Sequence, residues 1–223
     1  MENKQIVKWN IEQSKKEIQK NLLKDNLIIF FTGILEDSKV YRNPNFYGRL
    51  KEMYGLLFPY SDKENTKEIF KELKNSDLNS REGLILDSKE KDYLSRFLKS
   101  LDENCRLKNK EKLKEFERIL EDLVKKYLSH SHKDIEPYII GKLISSVGGI
   151  NNLYRMPSST IQLIGAEKAM FRHIAKKRPC PKYGLIYYSD KIKQSKNKGK
   201  TARQLANKLA ISIRQDYFQN FAR

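Results

Sequence analysis

With 223 residues, the chain is long enough to bury about 70% of its unfolded surface, so it needs neither a disulfide framework nor a structural metal to hold a core. A mean hydropathy of −0.72, no apolar run near 18 residues and no apolar core in the opening MENKQIVKWNIEQSKKEIQK exclude a membrane span and a signal peptide from the reading, leaving an intracellular protein as the expectation. A net charge of +17 and a pI near 9.7 make a polyanion the natural partner.

Residues 1 to 40 read as helix, with Ile6, Ile11 and Ile18 loosely spaced before the apolar block Leu22, Leu23, Leu27, Ile28, Ile29, Phe30, Phe31, Ile34 and Leu35. Asn43-Pro44-Asn45 breaks it, and a second helical stretch runs from Phe46 to Phe58 and stops at Pro59. From Lys63 to Leu128 dense charge of both signs carries apolar residues at helical spacing. Leu113, Phe116, Leu120, Leu123 and Tyr127 follow steps of 3, 4, 3 and 4, the a/d seam of a coiled coil. Two long helices are expected, broken near Ser76 to Gly83 and packed as an antiparallel hairpin, with those five residues as the candidate dimerisation seam. Part of a bundle core is the alternative for the same stripe. His130 and His132 lie two apart in a polar connector, a spacing that does not share a helix face, so they read as solvated loop residues and not metal ligands. Cys105 and Cys180 lie outside any CxxC or Cys/His pattern and read as reduced thiols.

The charge is concentrated toward the C-terminal end. Residues Gly141 to Arg223 hold 17 Lys and Arg against Glu167, Asp190 and Asp216, a balance of +14, whereas the preceding 140 residues hold 28 basic and 25 acidic groups, a balance of +3. A Lys-rich habit of composition would have raised both parts alike. Paired Gly148-Gly149 ends a helix, Pro157-Ser158-Ser159-Thr160 starts a short one that stops at Gly165, and Ala166 to Lys177 restarts as helix until Pro179 and Pro181. Tyr183 to Tyr188 reads as a short strand. Lys191, Lys193, Lys196, Lys198 and Lys200 alternate through KIKQSKNKGK, read as a flexible polar loop able to follow phosphates. In the last helix, Gly199 to Phe218, Ala202, Leu205, Ala206, Leu209, Ile213 and Tyr217 fall on one side, and Lys200, Arg203, Asn207, Lys208 and Arg214 fall toward the other. No acidic residue lies between Lys191 and Ile213, so an anion is needed to offset the repulsion. A nucleic acid fits best, and an anionic membrane surface is the main competitor.

IQLIGAEKAMFRH, PKYGLIYYSDKI and KGKTARQLANKLAISIRQDYF closely resemble the Nop domain of the box C/D small ribonucleoprotein core proteins and, more distantly, the related spliceosomal pre-mRNA processing factor. The family pattern has the form GAEKALFRH, PKHGxIF and RGKxARxLAxKxAIxxRxDxF. LISSVGGINNLYRMPSSTIQ resembles the lead-in, and KDNLIIFFTGILEDSK with FYGRLKEMYGLLFP resembles the segments opening the family's coiled-coil region. The resemblance implies an all-α fold in three parts: an N-terminal helical segment (1–62), an antiparallel coiled-coil hairpin (63–128) and a compact helical Nop domain (129–223) with at most a small β-hairpin. It implies binding to a kink-turn RNA together with a small ribosomal-type kink-turn-binding protein, and self-association or association with a full-length Nop protein through the coiled coil. By motif match, Gly165, Ala166, Glu167 and Lys168 are expected at the composite surface of RNA and protein. Ala169, Met170, Phe171 and Arg172 are expected against an RNA helix end, and Lys200 and Arg203 on the backbone. Lys196, Lys198 and Lys208 join them on charge. Asn197 and Lys198 stand where the family has Trp and Arg. Because little chain precedes the coiled-coil-like region, fibrillarin is not expected as a partner.

No catalytic residues and no cofactor are expected, because no acid and base pair, carboxylate pair, phosphate-binding glycine loop or activated nucleophile is evident. The chain reads as a scaffold and not an enzyme, cytoplasmic in an archaeal cell or nucleolar in a eukaryotic one. The alternative is a coiled-coil interaction module, or a regulatory competitor of the longer Nop protein, with generic RNA binding.

Overall fold

The computed structural model describes residues 2–37, 45–58, 65–75, 86–100 and 111–221. Regular structure among them is helical throughout, and the chain divides into two units, Met1–Ile119 and Leu120–Arg223. The expected breaks at Asn43-Pro44, Pro59 and Ser76 to Gly83, the thiol of Cys105 and the side chains of Ile18, Leu22 and Leu23 lie outside the described residues.

In the first unit, α1 (Glu2–Asp37), α2 (Asn45–Leu57), α3 (Thr66–Asn75), α4 (Ser88–Ser100) and the start of α5 (Glu111–Tyr127) enclose a phenylalanine cluster. Phe97 meets Phe30 at 5.2 Å and Phe116 at 5.3 Å, both edge to face, and Phe30 meets Phe31 at 5.6 Å in the same manner, the arrangement that ring quadrupoles favour. Leu27, Ile28, Ile34, Leu50, Ile69, Leu73 and Leu94 fill around it. Helix α4 starts where it does because Asp87 and Glu90 form a reciprocal cap: Glu90 N–H donates to Asp87 Oδ1 at 2.8 Å, and Asp87 N–H donates to Glu90 Oε2 at 3.0 Å. Tyr54 Oη donates to Glu72 at 2.7 Å, tying α2 to α3. Among the described residues the span from 63 to 128 therefore holds three helices where two were expected. Phe116, Leu120, Leu123 and Tyr127 of the expected seam are buried within the single chain, and Leu113 is half-buried.

The second unit continues α5 into α6 (Ser131–Asp134), α7 (Pro137–Val147), α8 (Ile150–Leu153), α9 (Ser158–Leu163), α10 (Glu167–Lys176), a 3-10 turn (Leu185–Tyr188), α11 (Asp190–Lys193) and α12 (Lys198–Asn220). Helix α12 is its axis: Ala202, Leu205, Ala206, Leu209, Ala210 and Ile213 are buried, and α6, α8, α9, α11 and the 3-10 turn pack on it. Gly148, at φ +75°, closes α7 with Gly149 N–H reaching Ile144 O at 3.0 Å, the turn that a left-handed residue permits.

Two expectations are corrected by this unit. Tyr183 to Tyr188 is not a strand: Leu185 and Ile186 are consecutive and both buried, whereas a strand would point them to opposite faces, so the run closes into a 3-10 turn. The two histidines are not solvated loop residues either. Each is half-buried, and His130 Nδ1 lies 2.9 Å from Asp216 Oδ1. Asp216, fully buried on α12, also accepts from His130 N–H at 2.9 Å, Ser131 N–H at 2.9 Å and Ser131 Oγ at 2.6 Å. The carboxylate thus caps α6 from a distant part of the chain, supplying the acceptor that first-turn N–H groups lack. Nearby, Ser212 Oγ donates to Asp134 at 2.6 Å, and Asn220 Nδ2 donates to Tyr127 O at 2.8 Å.

Candidate nucleic-acid interface

Between α9 and the 3-10 turn the chain makes an excursion whose two ends are stapled together. Gly184 N–H donates to Gln162 O at 2.8 Å, Leu185 N–H donates to Ile164 O at 2.7 Å, and Gln162 Nε2 reaches Lys182 O at 2.5 Å. The approach demands glycine on both sides. A Cβ on Gly184 would drive into Ile164 O, and Gly165 sits at φ +84° with Leu185 packed against it. From this base rises α10. Glu167 Oε1 accepts from Gly165 N–H at 2.7 Å and fixes the entry; Lys177, at φ 49°, ends the helix.

No residue of α10 is buried. Phe171 is 69% and Ile174 72% exposed, Ala169 and Met170 are half-buried, and Lys168 and Arg172 lie in solvent. An amphipathic helix that buries none of its residues departs from the rule that such a stripe faces a core. Of the motif residues, Glu167, Lys168, Phe171 and Arg172 are thus brought to one exposed element, with Gly165 at its root. Ala166 is buried and holds position only.

The N-terminus of α12 lies beside the base of this excursion, with the Lys182 side chain against Gly199. Asn197 caps α12, its Oδ1 accepting from Lys200 N–H at 3.2 Å. Lys196, Lys200, Arg203 and Lys208 are exposed. Lys198 is not free: its Nζ lies 5.3 Å from the Tyr187 ring centroid and 3.4 Å from Tyr187 Oη. Three further cations of the predicted array are occupied, Lys193 by Asp190 and two others by backbone carbonyls. Lys191 donates to the carbonyls of Lys133 and Asp134 at the end of α6, and Arg214 donates to Tyr154 O and Met156 O. The expected flexible loop from Lys191 to Lys200 is mostly helix, α11 and the first turn of α12, because Ile192 is buried and anchors it. Of the acidic groups of the region, only one takes up a cation of this array. Asp216 is buried, Glu167 turns to Gly165, and Asp190 pairs with Lys193 at 3.4 Å.

Sequence reasoning missed the aromatic side chains of this region. Tyr183 and Tyr187 stack with centroids 4.7 Å apart, hidden by being read as a strand. Elsewhere, Tyr154 and Tyr217 stack at 3.7 Å, with the Arg155 guanidinium donating to Tyr154 Oη at 3.1 Å and holding that phenol below its ordinary pKa, while burial pushes Tyr217 up. Among the described residues no group of three or more His, Cys, Asp and Glu side chains could hold a metal ion, and no helix is long and apolar enough to cross a membrane.

The described residues define an all-helical protein whose C-terminal unit carries a concentrated cationic surface and one unburied amphipathic helix. The chain belongs to the Nop family: the family model described as "Nop: snoRNA binding domain, fibrillarin" matches residues 43–222. It is 30% identical over 192 residues to nucleolar protein 56 of Caenorhabditis elegans, covering 83% of this chain and 36% of that protein. Over 77 residues it is 53% identical to nucleolar protein 58 of Schizosaccharomyces pombe, covering 34% of this chain and 15% of that one. The chain therefore spans about a third or less of the length of these relatives. A crystal structure of a fibrillarin/Nop5p complex covers 97% of this chain and 71% of its own, with 23% identity and a TM-score of 0.47. The expectation that fibrillarin is no partner is corrected by the family match, whose description names fibrillarin. Its premise, how little chain precedes the coiled-coil-like region, has no force in a sequence spanning only part of its relatives.

Proposed function

We propose that this chain is a non-catalytic RNA-binding component of a box C/D-type ribonucleoprotein, recognising a kink-turn RNA together with a small kink-turn-binding protein through residues 129–223. The observation that carries this reading is α10: an amphipathic helix with Phe171 and Ile174 in solvent, raised on a stapled base beside the cationic end of α12. Apolar side chains suit the exposed face of a terminal base pair or a partner's apolar patch, and the cations suit phosphate. The family description supports a small nucleolar RNA as the RNA class.

A gel-shift titration with a kink-turn RNA, with and without the small kink-turn-binding protein, tests it. A supershift that forms only with that protein present is expected. Equal shifts of any RNA in its absence would replace composite recognition with generic RNA binding. Replacing Lys200 and Arg203 with Ala is expected to weaken binding by about 1–3 kcal/mol and to lower the slope of log K against log salt by about 1 for each phosphate that is no longer neutralised. An unchanged slope would remove both from the interface.

Pairing with a second copy or a longer Nop protein through residues 63–128 is the second element of the proposal. Because Phe116, Leu120, Leu123 and Tyr127 are covered within the chain, such pairing uses the charged flanks of α5. In a eukaryotic cell the nucleolus is the proposed location, in keeping with the names of its relatives.

A further inference from the structure

The surface beside the cationic end of α12 carries a ring that the phosphate contacts do not use. Tyr188 meets Tyr187 edge to face, with centroids 6.1 Å apart and 64° between planes, yet it remains 60% exposed. Behind it, Tyr187 stacks on Tyr183 with 11° between planes, and Lys198 lies against Tyr187. The backbone under Tyr188 is anchored on both sides. Leu185 and Ile186 are buried before it, and Ser189 after it is fully buried, its hydroxyl donating to Glu136 at 3.2 Å and its carbonyl accepting from Ile192 N–H at 3.1 Å. A large flat ring is therefore held in water on a fixed support.

The surface around Tyr188 is aromatic and cationic, with the half-buried rings of Tyr187 and Tyr183 beside it and Lys198 against Tyr187. An exposed aromatic backed by a ring that itself holds a cation fits nucleotide binding: every nucleobase has a π-face that stacks on such a ring, and its phosphate seeks a nearby cation. We propose that Tyr188, supported by Tyr187 and Tyr183 with Lys198 alongside, is a stacking platform for an unpaired nucleotide of the bound RNA. This rests on the RNA-binding reading above and adds to it a subsite for single-stranded RNA, separate from α10.

The test uses the full chain with the small kink-turn-binding protein and two kink-turn RNAs, one with a flush stem and one carrying a short single-stranded extension. Anisotropy titrations compare the unaltered chain with Tyr188→Leu and Tyr188→Phe. The extension is expected to tighten binding of the unaltered chain roughly 10-fold, as one stacked base would. Tyr188→Leu abolishes that gain, Tyr188→Phe keeps it, and all three bind the flush RNA alike, which also shows that the variants fold. Equal binding of both RNAs by the unaltered chain, or a gain that survives in Tyr188→Leu, overturns the platform. If the unaltered chain binds neither RNA, the RNA-binding reading falls and takes the platform with it.

Discussion

Replacing Asp216 with Ala is expected to destabilise the C-terminal unit by about 3–5 kcal/mol, well beyond what any substitution on the exposed cationic face should do. The carboxylate accepts four hydrogen bonds, from His130 N–H, His130 Nδ1, Ser131 N–H and Ser131 Oγ. Ser131 is itself fully buried, so water cannot take over for its two donors without opening the packing between α6 and α12. A stranded buried donor costs about 1–3 kcal/mol, and half-exposed His130 loses less. Domains of this size are stable by about 5–15 kcal/mol, so a large share of the total is at stake. In urea the unfolding midpoint is expected to drop by about 2 M at a typical slope. Asp216→Asn keeps one acceptor oxygen and should fall between. A drop under about 0.5 M for the alanine variant, at the same typical slope, would mean that α6 is capped some other way.

The second large effect is on binding and spares the fold. Phe171→Ala should weaken assembly with kink-turn RNA and its small protein by about 10- to 100-fold, the range for an aromatic at the centre of an interface. Because no residue of α10 is buried, the melting temperature should move by no more than about 2 °C. That pairing of readouts separates the proposal from a structural role. If Phe171 packs on a core, both numbers move. If it is idle surface, neither does.

Much of this was legible from spacing. The stripe Ala202, Leu205, Ala206, Leu209, Ile213 and Tyr217 announced α12, and the first five are buried while Tyr217 is half-buried, because one period of 3.6 decides both helix and face. The exposure of Lys200, Arg203 and Lys208 followed from the same wheel. What spacing could not reveal was which cations are already engaged. Lys191 and Arg214 look like Lys196 and Arg203 in a sequence, yet each is tied to backbone carbonyls of residues about 60 positions away. The aromatic run around Tyr187 carried a β signal that two adjacent buried residues overrode. Asp216 did leave a trace, an acid on the apolar stripe three residues after Ile213 and seven after Leu209, but only a bond spanning 86 positions shows that it is a cap.

The same long-range bond shapes how the protein is made. A ribosome delivers the chain from residue 1 onward, so the Ser131 and His130 donors emerge early and stay without their acceptor until position 216 has also left the exit tunnel. A bond of such long range cannot form piecemeal. The C-terminal unit therefore assembles in one late event and not progressively along the nascent chain. The proposed RNA surface on α12 therefore gains its full seat on α6 only after that moment.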